Sequence, residues 1–180
     1  MEMESGGVLK KFENRFIDFL QQRGSFSDIV FVCIGTKKLI GDSIGPVIGE
    51  ELKELENEFV HVYGTIDKNV NFINGKEIIE EINRKYKEPY LITIDAALSN
   101  TNRKGDIILG SGYMKIGKAL NKSVCFFSNL NIKCVIGKYY NNKEDNLREL
   151  SSVRVSDVHR ASRVVTDGIK NSFKKLNIYV

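Results

Sequence analysis

The stretch from Ile29 to Leu55, IVFVCIGTKKLIGDSIGPVIGEELKEL, constrains the fold more than any other part of the chain. Ile29 to Ile34 is a nearly unbroken apolar run rich in β-branched residues, the pattern of a strand covered on both faces. Gly35, Gly41 and Gly45 then permit a tight turn, and Ile48, Leu52 and Leu55 recur at helical spacing with Pro46 in the first turn. The reading is strand, tight loop, helix, with Asp42 and Ser43 in the loop. In an open α/β sheet, ligands and reacting groups gather beyond the carboxyl ends of the strands, where this loop lies.

Asp42 taken alone reads as a helix cap or first-turn acid, which the helix dipole favours. A second acid changes the weighing. YLITIDAALSN, Tyr90 to Asn100, is another buried-strand pattern and ends in Asp95 followed by small residues. Two adjacent parallel strands would bring both acids to one rim. Two carboxylates in close approach cannot both ionise cheaply, so they share a proton and divide into acid and base, enough to activate water against an amide.

The remaining segments fit a parallel sheet. FVHVYGTI reads as the second strand, and Gly75 to Lys87 as a helix with Ile78, Ile79, Ile82 and Tyr86 inward, closed by Pro89. The order β-α-β-α-β implies right-handed crossovers. Between Asn100 and Lys138, the short runs DIILG, SVCFF and NIKCVIG read as hairpin-like edge strands. Gly110 to Asn121 between them reads as a glycine-rich loop near the acids that carries Lys115 and Lys118. Leu9 to Gln22 predicts a helix, Tyr139 to Ser152 a polar connection with one helical turn, and Ser156 to Leu176 a final helix capped by Ser156. Residues 1–7 are expected to be loose, and residues 1–180 to make one α/β domain.

Composition narrows the class. The chain has 180 residues, 42% of them hydrophobic, enough to bury a proper core, with no run near the length of a membrane span and no signal peptide. It is expected in the cytoplasm. A net charge of +4 reads as solubility charge and argues for no direct nucleic-acid partner. The three cysteines Cys33, Cys125 and Cys134 lack CxxC spacing and read as buried thiols. His61, in a strand, and His159, on the polar face of the last helix, stand apart from any ligand-like spacing. No GxGxxG follows a strand, and Gly35 to Gly41 is one residue too long for a phosphate loop, with an acid where that loop has lysine.

GTKKLIGDSIGP, Gly35 to Pro46, and TIDAAL, Thr93 to Leu98, resemble the two signature segments of the YyaC-type sporulation proteins, relatives of the spore germination protease and, more distantly, of the hydrogenase maturation proteases. The resemblance runs from about Asp28 to Lys138. It implies a three-layer α-β-α sandwich of phosphorylase or hydrolase type, its sheet mainly parallel with an antiparallel edge. It implies Asp42 and Asp95 as the catalytic pair of a peptidase, with Gly41, Ser43 and Gly45 shaping a substrate-binding loop. Ser99 and Lys115 are the other expected substrate contacts. The expected substrate is a protein or peptide, small acid-soluble spore proteins among them, in the forespore or mother cell of a spore-forming bacterium. The alternatives are an inactive binding protein using the same cleft and a metal-dependent maturation-type peptidase. No cofactor is expected, since the family's nickel ligand set includes a downstream His that this chain lacks, although a divalent cation at the two acids is conceivable chemistry. Exposed edge strands leave room for a homodimer.

Overall fold

A computed structural model describes residues 2–22, 28–116 and 124–178, with side chains from residue 6 onward. Five strands form one sheet in the order β2-β1-β3-β5-β4: β1 (Ile29–Cys33), β2 (Val60–Tyr63), β3 (Tyr90–Leu98), β4 (Ile107–Ile116) and β5 (Val124–Gly137). β1 pairs in parallel with β2 and β3, and β3 with β5, whereas β4 runs antiparallel to β5 at the edge. The helices are α1 (Glu2–Gln21), α2 (Ile44–Leu52), α3 (Gly75–Lys85), α4 (Lys143–Ser152) and α5 (Val155–Lys175).

Alternation along the strands makes the layers. Ile29, Phe31 and Cys33 of β1, with Ile92 and Ile94 of β3 and Ile132 and Cys134 of β5, pack on one face against Phe12, Phe16, Ile48, Val165, Ile169 and Phe173 from α1, α2 and α5. Val30, Val32 and Ile34 point the other way, to Ile79, Ile82 and Tyr86 in and just after α3 and to Met114, Ile116 and Phe126 of the β4–β5 hairpin. The fold is the expected three-layer α-β-α sandwich with a mainly parallel sheet and an antiparallel edge.

Several local expectations are corrected. α1 begins at Glu2 rather than after residue 7. Gly110 to Ile116, expected as loop, is strand, because β4 pairs with β5 from Ile107 to Ile116 across an irregularity between Gly110 and Gly112. The rest of the expected loop, residues 117–121 with Lys118, lies outside the described residues. SVCFF and NIKCVIG join into the single strand β5, which is interior where it pairs with β3. Cys125 near its start is exposed, while Cys33 and Cys134 are buried.

The polar connection is a 10-residue helix, α4. Its start is well capped: the Asn142 side chain accepts the amide of Asp145 at 2.8 Å, and Glu144 and Asp145 occupy the first turn. α5 begins one residue early, after Arg154, so Ser156 does not cap it.

Candidate active site

The loop after β1 is held by close backbone approaches that only glycine allows. Gly35 has φ +146°, and a Cβ there would lie 2.0 Å from the Asp42 carbonyl oxygen. A Cβ on Gly45 would lie 2.0 Å from the Ile34 carbonyl oxygen, so the start of α2 sits directly on the end of β1. Thr36 donates its amide to the Asp42 carbonyl at 3.0 Å and closes the loop. α4 braces it from behind, with the Leu150 carbonyl and the Val153 side chain against Gly41.

These contacts set Asp42 at the rim in a short 3-10 turn, Gly41–Ser43. It caps nothing: neither this turn nor α2 has a side-chain hydrogen bond at its N-cap. Asp95, near the end of β3, has its Cα opposite that of Lys133 on β5. Both acids line one cleft of about 930 Å³ on the α3 side of the sheet. Its walls are the Gly35–Leu39 loop, residues 69–73, the turn after β3, and Tyr113 to Ile116 of β4.

Electrostatics couples the pair. Burial pushes the Asp42 carboxyl up from 3.8 to about 6, against an opposing hydrogen bond from the Thr36 backbone. Burial also raises Asp95 well above its ordinary value, and the Asp42 charge raises it further, while the Ala96 amide and Lys133 pull it down. Both carboxyls thus hold their protons to higher pH than exposed acids do, and ionising Asp42 makes Asp95 harder to ionise.

The other expected contacts separate into two groups. Ser99 and Lys115 line the cleft. Ser99 Oγ is already engaged in its own turn, accepting the amides of Thr101 at 3.2 Å and Asn102 at 3.0 Å. Gly41, Ser43 and Gly45 are not part of the cleft wall. The two glycines are buried packing positions, and Ser43 Oγ turns back to donate to the Ile40 carbonyl at 2.6 Å. These three act through the loop they shape.

Lys133 and the segment Asn69 to Ile73 line the cleft without having been singled out in the sequence. Lys133 had a signal, a lone cation inside the apolar run NIKCVI. The segment had none: Asn69, Asn71 and Asn74 knit it together by side-chain hydrogen bonds that a sequence does not display.

A nickel site of the maturation-protease kind does not fit these residues. No group of three His, Cys, Asp or Glu side chains able to hold a metal occurs among the described residues. His61 bonds Asp28 at 3.0 Å and stacks on Tyr86, and His159 is exposed on α5. Lys133 also places positive charge beside Asp95, where a cation would have to sit.

The fold defines an α/β protein built like a hydrogenase maturation protease. The maturation protease HycI from Thermococcus kodakarensis KOD1 superposes with a TM-score of 0.53 at 18% identity, covering 84% of this chain and 95% of that one. The chain belongs to the DUF1256 family, described as protein of unknown function, whose pattern matches residues 2–168. It is 36% identical over 108 residues to the uncharacterized protein YyaC of Bacillus subtilis (strain 168). That match covers 60% of this chain and 53% of YyaC, so the chain spans about half the length of this curated relative. No described helix is long and apolar enough to cross a membrane.

Proposed function

We propose that the protein is a peptidase of spore proteins, acting in the cytoplasm of a sporulating cell, in which Asp42 and Asp95 share a proton and activate water against a peptide bond. The observation that carries this reading is the pairing itself: an acid from the loop after β1 and an acid near the end of β3 line one cleft, neither forms an ion pair among the described residues, and the Asp42 charge raises the cost of ionising Asp95. The partners each acid has, the Thr36 backbone for Asp42 and the Ala96 amide and Lys133 for Asp95, do not offset the cost of burial, which leaves both carboxyls raised.

In this mechanism the Asp42 carboxylate takes a proton from water as the oxygen attacks the scissile carbonyl, and protonated Asp95 hydrogen-bonds to the carbonyl oxygen and then donates to the departing amine. The apolar walls, Leu39, Phe72, Ile73 and Met114 among them, exclude solvent and seat a substrate side chain. Small acid-soluble spore proteins are the substrates to test first. Purified protein should cleave them, and Asp42→Asn and Asp95→Asn should each lower the rate roughly 10²- to 10⁴-fold with the fold intact by circular dichroism. Undiminished cleavage by both variants sinks the dyad. Retained binding of the spore protein with no cleavage by the wild type would favour a docking role for the cleft.

A further inference from the structure

We propose that Lys133 is a third catalytic residue of this cleft, its ammonium accepting the charge that develops on the scissile carbonyl oxygen. This role rests on the peptidase reading above. A water attack driven by two carboxylates creates an oxyanion, and such sites supply donors aimed at it. Backbone amides of the acid-bearing loop would be the usual source, but four of those at the rim are committed. Gly35 donates to the Val70 carbonyl at 2.8 Å, Thr36 to the Asp42 carbonyl at 3.0 Å, Ser43 to the Ile40 carbonyl at 3.1 Å, and Lys38 to Thr36 Oγ1 at 3.3 Å.

Of the three side-chain amides lining the cleft, two are engaged: Asn71 Nδ2 donates to Asn69 Oδ1 at 2.7 Å, and Asn102 Nδ2 to Ser99 Oγ at 3.2 Å. The titratable residues lining the cleft besides the two acids are Lys38, Lys115, Lys133, Tyr113 and Tyr139. Lys38 and Lys115 are exposed at its mouth, and Tyr113 is 74% exposed on the outer face of β4, where it meets Phe127 edge-on.

Lys133 differs from all of these in placement. Parallel pairing sets its Cα directly across from that of Asp95, so both side chains leave the same face of the sheet about 5 Å apart at their roots. It is half-buried, and among the described residues it belongs to no ion pair. A cation beside one acid of a proton-sharing pair, with its donors free, is arranged to meet an oxyanion forming over that pair. The flexible stem of lysine lets the ammonium follow the carbonyl oxygen as it moves out of the peptide plane.

The test compares wild type, Lys133→Met and Lys133→Arg on a small acid-soluble spore protein, with kcat and KM measured across pH. Lys133→Met keeps the length and apolar stem without the charge. It should lower kcat about 10²- to 10³-fold, the range for loss of one oxyanion donor, and leave KM within a few-fold. Lys133→Arg should restore part of kcat. The alkaline limb of the profile should move upward in Lys133→Met, because Asp95 holds its proton more tightly once the neighbouring cation is gone. If Lys133→Met cleaves as the wild type does, or loses binding alone, the role of Lys133 is overturned while the dyad stands. If the wild type cleaves no spore protein, the peptidase reading fails and takes this role with it.

Discussion

Replacing Asp42 by Asn should stabilise the protein at neutral pH while slowing turnover. A carboxyl with a folded pKa of about 6 against 3.8 when unfolded holds its proton longer in the native state. Its contribution to stability is therefore fully present below about pH 3.8 and lost as pH rises through about 6. Asn has no such charge to desolvate. Thermal unfolding at pH 7.5 should show Asp42→Asn more stable by about 1–2 kcal/mol, discounted for the partial exposure of the site. At pH 3.5 the difference should vanish. An Asp42 that served as a cap would show the opposite sign. Gly45 is the contrasting case, a residue whose role is purely steric. With a Cβ 2.0 Å from the Ile34 carbonyl, Gly45→Ala must push α2 off β1, and denaturant unfolding should register a loss of about 3 kcal/mol or more.

Among the elements, α4 and β5 matter most for the site. α4 buttresses the loop that carries Asp42, and its Asn146 is 3% exposed, its side chain accepting the Tyr140 amide at 2.8 Å and donating to the Tyr140 carbonyl at 2.9 Å. Asn146→Ala leaves both backbone groups unpaired, so a cost of about 1–3 kcal/mol and weakened activity are expected together, measured by chemical denaturation and by cleavage rate. β5 joins the cleft to the core through a buried polar pair, in which Thr93 Oγ1 donates to Asn131 Oδ1 at 2.6 Å and Asn131 Nδ2 donates to the Gly112 carbonyl at 3.2 Å. This pair sits beside the irregularity at which the β4–β5 hairpin turns onto the α3 face and forms one wall of the cleft. On the opposite face, Glu13 of α1 accepts hydrogen bonds from Asn171 and Lys175 of α5. Burial alone would raise this carboxyl, but these partners outweigh it and hold the group below its ordinary value. The α1–α5 contact thus contributes stability above the unfolded pKa that is lost as pH falls through the lowered folded value.

For the whole molecule, the dyad predicts a bell-shaped pH dependence of cleavage. The rate should climb as Asp42 loses its proton around pH 6 and fall at higher pH as Asp95 does, the two limbs belonging to the coupled pair rather than to either acid alone. A profile flat across pH 5 to 7 would remove Asp42 as the base. The native state is also expected to be less stable at the pH of best activity than at mildly acidic pH as far as this site is concerned, since both raised carboxyls favour folding when protonated.

Whatever is written in local pattern can be read directly from the residues. The apolar run of β1, the glycines that let Asp42 fold back on β1 and the buried strand ending in Asp95 are legible because burial marks the residues of an element, whereas an unbroken apolar run does not say which face Phe31 and Val32 take. The capped start of α4 is also there, in Asn142 and Asp145, although the mostly polar segment reads as a connection with a single helical turn. Tertiary structure alone decided what pairs with what. SVCFF and NIKCVIG are one strand because Ser128 and Asn129, polar residues that look like a break, bond backbone groups of β3 and of their own strand: Ser128 Oγ donates to the Leu91 and Leu130 carbonyls, and Asn129 Oδ1 accepts the Leu91 amide. Lys133 becomes a neighbour of Asp95 through a register between residues 38 apart. The closeness of Asp42 to Asp95, which raises the proton affinity of Asp95, likewise depends on β1 and β3 lying side by side. Local pattern tells which residues are buried and in what element; long-range pairing, set by packing of the whole chain, tells which charges meet.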